Sequence, residues 1–115
     1  MMNNLKNVGM MSSIQIPTRN EKIEVNATSE VILETKNLPI KRHSYILRNM
    51  SLNEVDIITI HIGYGEAVSG EGIVLKKGES VSESISTDTN DVWSGQISAI
   101  CDTADGLLSV FERDI

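Results

Sequence analysis

The chain has 115 residues, a formal net charge of −6, 40% apolar residues and 3% aromatic residues. This length predicts one domain, and the single cysteine excludes an internal disulfide framework. No apolar run approaches the ~20 residues that a segment needs to cross a bilayer. The net negative charge argues against binding to the phosphate backbone of a nucleic acid. We therefore expect neither a membrane nor a nucleic acid as partner.

Residues 1–13 predict a flexible N-terminal arm, separate from a domain at residues 14–115. The segment MMNNLKNVGMMSS has no helix or strand periodicity and no continuous apolar core of a secretion signal. Two interpretations fit it: a terminus that is simply disordered, or an arm that orders against a partner through adaptable methionines. The second predicts that Met10 and Met11 bind a partner, and Ile14 and Ile16 in the adjoining IQI segment are predicted to bind it as well.

From residue 14 onward, short runs of alternating apolar and polar residues predict strands. Turn signals such as NLP, GYGE, KKGE and TADG separate them, and no segment shows sustained helical periodicity. The predicted strands are residues 22–26, 31–36, 43–50, 56–62, 72–75, 80–86, 94–101 and 107–112. Eight such strands predict an all-β fold, a small antiparallel sandwich of jelly-roll or Greek-key type.

The apolar positions of these runs predict the two inner layers. They are Leu47, Ile58, Ile60, Ile62, Ile73, Leu75, Ile97, Ala99, Leu108 and Val110. The serine-rich strand at 80–86 predicts a sheet edge, with Glu83 preventing edge-to-edge pairing. The basic group Lys41, Arg42 and Arg48 predicts a solvated strand edge or a contact with an acidic neighbouring subunit.

Residue types that carry catalysis or bind metals are few and scattered. Cys101 alternates with Ile97 and Ala99, which predicts a small buried side chain. His61 falls on the face opposite the apolar positions, and His43 stands beside basic residues, so no zinc set can be assembled. The sequence therefore predicts no catalytic residue, no metal, no cofactor and no enzyme activity.

Three weaker patterns also favour structural roles. Residues 88–91 (DTND) lack calcium-loop spacing and predict a polar turn. Glu66 and Glu71 could suggest a glycosidase pair, but so small a chain has little room for the cleft that such an enzyme needs. The glycines between residues 63 and 72 have no phosphate-loop register, and no helix follows them, so they predict tight turns and bulges.

Trp93 is the best single candidate for recognition. It follows the polar turn and is expected to begin a strand near one end of the sandwich. It could be a core residue that closes this end or an interface anchor, since Trp combines a large apolar area with a polar N–H. A platform that stacks on sugars is a third option, weakened by how few aromatic residues the chain has.

One set of motifs recurs between residues 42 and 115: Arg48, Asn49 and Ser51, the strand at 58–63, the hairpin at 67–79, the strand at 93–100, and residues 110–112. In these motifs the run from residue 42 to 115 resembles small virion proteins of tailed bacteriophages. The resemblance implies a compact β-sandwich that serves as a head decoration, cement or fibre-base module, and it carries no catalytic residues. It leaves the arm at residues 1–13 outside.

What the resemblance implies is a virion protein, assembled in the host bacterial cytoplasm and bound to the major capsid protein or another virion protein. The arm and a sheet edge at residues 14–16 or 22–26 would make the attachment, and a homotrimer would suit capsid threefold positions. The alternative within the virion is a tail or head-fibre module for host-surface or glycan recognition through residues 65–70 and Trp93. A free lectin would need more exposed aromatic residues, and a hydrolase would need a base–nucleophile pair.

Overall fold

The computed structural model describes residues 18–85 and 91–115 and contains eight strands in these ranges. In chain order the strands are β1 (Thr18–Val25), β2 (Glu30–Leu33), β3 (Arg42–Asn49), β4 (Ile58–Ile62), β5 (Ile73–Leu75), β6 (Ser80–Ser84), β7 (Ile97–Cys101) and β8 (Gly106–Asp114). The all-β prediction is confirmed. No helix in the described part of the chain is long and apolar enough to span a membrane.

The strands form two four-stranded sheets with the orders β1-β8-β3-β6 and β2-β7-β4-β5. Every pairing is antiparallel. The pairs β1-β8, β2-β7, β3-β6 and β4-β5 each join one strand of the first half of the chain to one of the second half. This pattern corresponds to a long antiparallel hairpin that is folded into two layers. This is the arrangement of a jelly roll, so the predicted sandwich class is confirmed.

The core fills the space between the sheets, where alternating side chains of both layers meet. Eight of the ten predicted inner positions are buried, and Ile62 is half-buried against them. Ile73 is the exception, because β5 is a three-residue edge strand that leaves its side chain partly open to solvent. Cys101 is buried, as predicted.

Strand β6 is an edge strand in this part of the chain, as the serine-rich pattern predicts. Its Glu83 accepts a hydrogen bond of 2.8 Å from the hydroxyl of Tyr45. Burial of Tyr45 first, and then this hydrogen bond and the charge of Glu83, raise the pKa of the phenol well above its usual value. Tyr45 is therefore a neutral core residue whose hydroxyl group reaches the edge strand.

Because consecutive strands run in opposite directions, the connections fall at two ends of the sandwich. The start of β1 lies at one end with residues 34–41, 63–65 and 91–96, which we call the Trp93 end. Residues 26–29, 50–57, 76–79 and 102–105 lie at the other, which we call the Leu52 end.

Residues 63–72 do more than connect β4 to β5, since they fold back over the outer face of the second sheet. The backbone N–H of Gly70 donates to the Thr59 hydroxyl at 3.0 Å, and the Ser98 hydroxyl donates to the Gly65 carbonyl at 3.3 Å. Thr59 and Ser98 are consequently buried although they point away from the core. The glycine-rich segment thus acts as a structural cover, in keeping with its prediction as turns.

Candidate functional site

Trp93 lies in the irregular segment before β7, at one end of the sandwich. It does not begin a strand, because its indole Nε1 donates to the Gln96 carbonyl at 2.9 Å and closes a tight turn. The ring is half-buried and packs against the core. Its centroid lies 5.5 Å from that of Tyr64 in an edge-to-face arrangement of 69°. Trp93 therefore helps to close the core while part of its ring stays at the surface.

A groove of about 390 Å³ runs beside this ring. Its apolar wall includes Leu38, which is 84% exposed, and Ile40, which is 49% exposed. The remaining lining residues are Lys36, Lys41, Asp91, Val92 and Ser94. A protruding leucine and isoleucine beside a half-buried tryptophan make an apolar surface with a charged rim, the composition typical of a protein-binding site.

Arg42 holds the floor of this groove in place. It is 1% exposed, and its guanidinium donates to the carbonyls of Trp93 at 2.6 Å and Gly95 at 3.0 Å. It also donates to the Glu34 carbonyl at 2.8 Å and to Glu112 Oε2 at 2.7 Å. The prediction of a solvated edge or subunit contact is wrong for Arg42. The physical reason for its burial is that the guanidinium has five N–H donors in a fixed geometry. They satisfy buried carbonyls and a carboxylate, which an apolar residue could not do.

A second cation completes the network on the same side. Lys36 Nζ lies 3.2 Å from Glu112 Oε1 and 3.0 Å from Asp114 Oδ2. The other Asp114 oxygen is buried with no hydrogen-bond partner in the part of the chain that the structure describes. Lys41, by contrast, is exposed, and its backbone pairs with that of Ile115. The groove rim thus keeps one lysine available to a partner.

The predicted partner residues Met10, Met11, Ile14 and Ile16 lie outside the described residues. The structure does fix where the chain that carries them joins the sandwich. Thr18 opens β1 opposite Arg113, near the end of β8. Thr18 and Lys36 line one small cleft of about 210 Å³, and Lys36 also lines the groove. Thr18, the first described residue, therefore lies beside the Trp93 groove.

The residues considered for chemistry are not brought together. His61 lies on the outer face, where its Nε2 is 2.9 Å from the Tyr64 carbonyl, and His43 Nδ1 is 3.2 Å from the Ser44 hydroxyl. Among residues 18–85 and 91–115, no three His, Cys, Asp or Glu side chains stand close enough to hold a metal ion. Most of the polar turn at 88–91 lies outside the described residues.

Sequence reasoning missed the residues that shape the site. Leu38 and Ile40 belong to a connection that was identified only as a turn around Pro39. Two exposed apolar residues flanking a proline, next to a basic pair, are the signal that could have marked this connection as a surface. A comparison with models of known protein families and with curated proteins found no match to this chain.

Proposed function

We propose that the chain is a virion structural protein, a head decoration or cement protein that binds the major capsid protein through the Trp93 end. One observation carries the proposal: Thr18, the first described residue, lies beside the exposed apolar groove. An arm and a groove at the same end can grip one subunit surface together. Two linked contacts of modest strength then give much stronger retention than either alone.

The chemistry of the groove suits this role. Leu38, Ile40 and the Trp93 ring offer apolar area, and Lys41 offers an exposed charge at the rim. Tryptophans in such positions carry a large share of interface energy. Hydrogen bonds from Arg42 hold the backbone at Trp93, so little conformational freedom would be lost on binding. The resemblance to small phage virion proteins supplies the class of partner, and three copies around each capsid threefold position are the arrangement to expect on the head.

The proposal is tested by cosedimentation of the purified protein with phage heads that lack it. Leu38→Asp should weaken binding at least ~10-fold, because it places a charge in the apolar wall. Deletion of residues 1–13 should abolish retention while the domain stays folded. Leu52→Ser is the matched control, since Leu52 is 80% exposed at the other end and should bind heads as the unaltered chain does. Equal binding by all four proteins would contradict the proposal.

A second candidate function is recognition of a host glycan by a tail or head-fibre module. The edge-to-face pair of Tyr64 and Trp93 favours it, because such rings stack on sugars. A polar cleft lined by Glu66 and Gln96 adjoins Tyr64 through Gly65. Binding to host cells that is lost in Tyr64→Ala, without any binding to heads, would favour this candidate over the first.

A further inference from the structure

The Leu52 end carries a second apolar surface, unrelated to the Trp93 groove. Leu52 is 80% exposed and Val55 is 66% exposed, and Met50 beside them is also exposed. These three exposed apolar residues lie within six residues of one connection, and we call them the ridge. A ridge of this kind leaves apolar area in water unless another surface covers it.

The ridge is held in a fixed shape by the domain beneath it. Asn49 is buried and donates to the carbonyls of Asp56 and Leu75, both at 2.8 Å, while it accepts from the Ser51 N–H at 2.9 Å. Lys77 Nζ donates to the Leu52 carbonyl at 3.0 Å. A loop tied at both ends and at its tip loses little entropy when it is covered.

Charges of opposite sign lie on the two sides of the ridge. On one side, Leu52 lines a cleft of about 290 Å³ that contains Arg48 and Lys77. On the other side, Leu52 lines a cleft of about 380 Å³ that contains Glu24 and Asp105. The ridge therefore separates a basic cleft from an acidic one.

We propose that this end is an interface between two copies of the chain, related by a twofold axis through the ridge. A twofold rotation places the basic cleft of each copy against the acidic cleft of the other, and it brings the two apolar ridges together. The same surface thus complements itself, which a surface of one charge sign could not do. The contact is independent of what the Trp93 end binds.

The contact is small, so the expected affinity is modest. A patch of this extent falls at the low end of interface sizes, and we expect a dissociation constant in the range of ~10–100 µM in dilute salt. Raising the salt to 0.5 M should weaken the association several-fold, because exposed charge pairs are screened.

A charge exchange tests the twofold geometry. Neither the Arg48 nor the Asp105 side chain makes a hydrogen bond or ion pair with any residue that the structure describes, so substitutions there leave the fold intact. Arg48→Glu alone and Asp105→Arg alone should each weaken self-association strongly, because both contacts between positions 48 and 105 in those homodimers then join like charges. A one-to-one mixture should restore it, because the mixed dimer recovers both opposite-charge contacts.

Sedimentation velocity from 5 to 500 µM provides the readout, in the absence of capsids. Leu52→Ser should be monomeric throughout, and Leu38→Ser, with 84% exposure at the opposite end, should associate as the unaltered chain does. A chain that stays monomeric at 500 µM, a trimer that Leu52→Ser does not affect, or a mixture that fails to associate would overturn the proposal.

Discussion

Replacement of the buried Arg42 tests the account of the Trp93 end most directly. In Arg42→Met, the carbonyls of Glu34, Trp93 and Gly95 lose their donor, and Glu112 keeps only Lys36 as a cation. Removing one partner of a buried ion pair costs ~3–5 kcal/mol, and the stranded carbonyls act in the same direction. We expect a loss of about 4 kcal/mol in the free energy of unfolding.

The variant Arg42→Lys separates the contribution of the positive charge from that of the guanidinium's hydrogen-bond geometry. A lysine keeps the positive charge near Glu112 but cannot reach four acceptors at once, so we expect a loss of about 2 kcal/mol. Because Trp93 is the only tryptophan, its fluorescence reports on this site alone. The emission should shift to longer wavelength in the folded Arg42→Lys protein, since the backbone at Trp93 has lost its anchor.

Urea unfolding followed by Trp93 fluorescence and by circular dichroism measures both quantities. Arg48→Met is the matched control, because Arg48 lies on the same strand with its side chain exposed, and its loss should cost less than about 0.5 kcal/mol. The double variant Arg42→Met/Glu112→Leu should recover about half of the loss, since the orphaned carboxylate is removed with its partner. Equal stability of Arg42→Met and Arg48→Met would refute the reasoning.

Two further predictions concern the sheet edge and the glycine-rich cover. The pKa of Tyr45 is raised in the folded state, so its contribution to stability is fully present below pH ~10 and is lost above it, where the unfolded chain ionises. Chemical denaturation between pH 9 and 11 should therefore show a steeper decline for the unaltered chain than for Tyr45→Phe, and parallel declines would contradict this. Gly70 and Gly72 both have a positive φ, of +80° and +138°, but a Cβ at Gly72 would stand 2.6 Å from the Ile60 carbonyl oxygen, whereas a Cβ at Gly70 meets no atom within 4 Å. Gly72→Ala should thus cost at least about 2 kcal/mol more than Gly70→Ala in urea unfolding, and equal costs would argue against close packing of the cover.

The sequence alone could predict the fold because strand signals and turn signals agree along residues 18–115. All eight predicted strands exist, and the edge position of β6 follows from its serine face. Strand ends were less predictable, since they depend on contacts from distant residues. The strand predicted to continue to residue 36 ends at Leu33, where the Glu34 carbonyl turns to meet the Arg42 guanidinium.

The candidate site could be predicted only in part. Trp93 was identified from its residue type, which is informative because large aromatic residues are rare in this chain. The burial of Arg42 could not be foreseen, because an arginine next to a lysine and a histidine reads as a solvated group. For three of the four hydrogen bonds of its guanidinium, the partner is 51 to 70 residues away, and no local pattern encodes such distances.

The position of Arg42 also decides how a loss of binding must be interpreted. Because its guanidinium supports the backbone at Trp93 and Gly95, any change at Arg42 alters both the free energy of unfolding and the shape of the groove. Weakened binding in an Arg42 variant would therefore be compatible with partner contact anywhere on the domain. Leu38 is free of this ambiguity, since its exposed side chain lines the groove without entering the core. A variant that keeps full stability and loses binding at Leu38, but not at Leu52, would locate the partner at the Trp93 end.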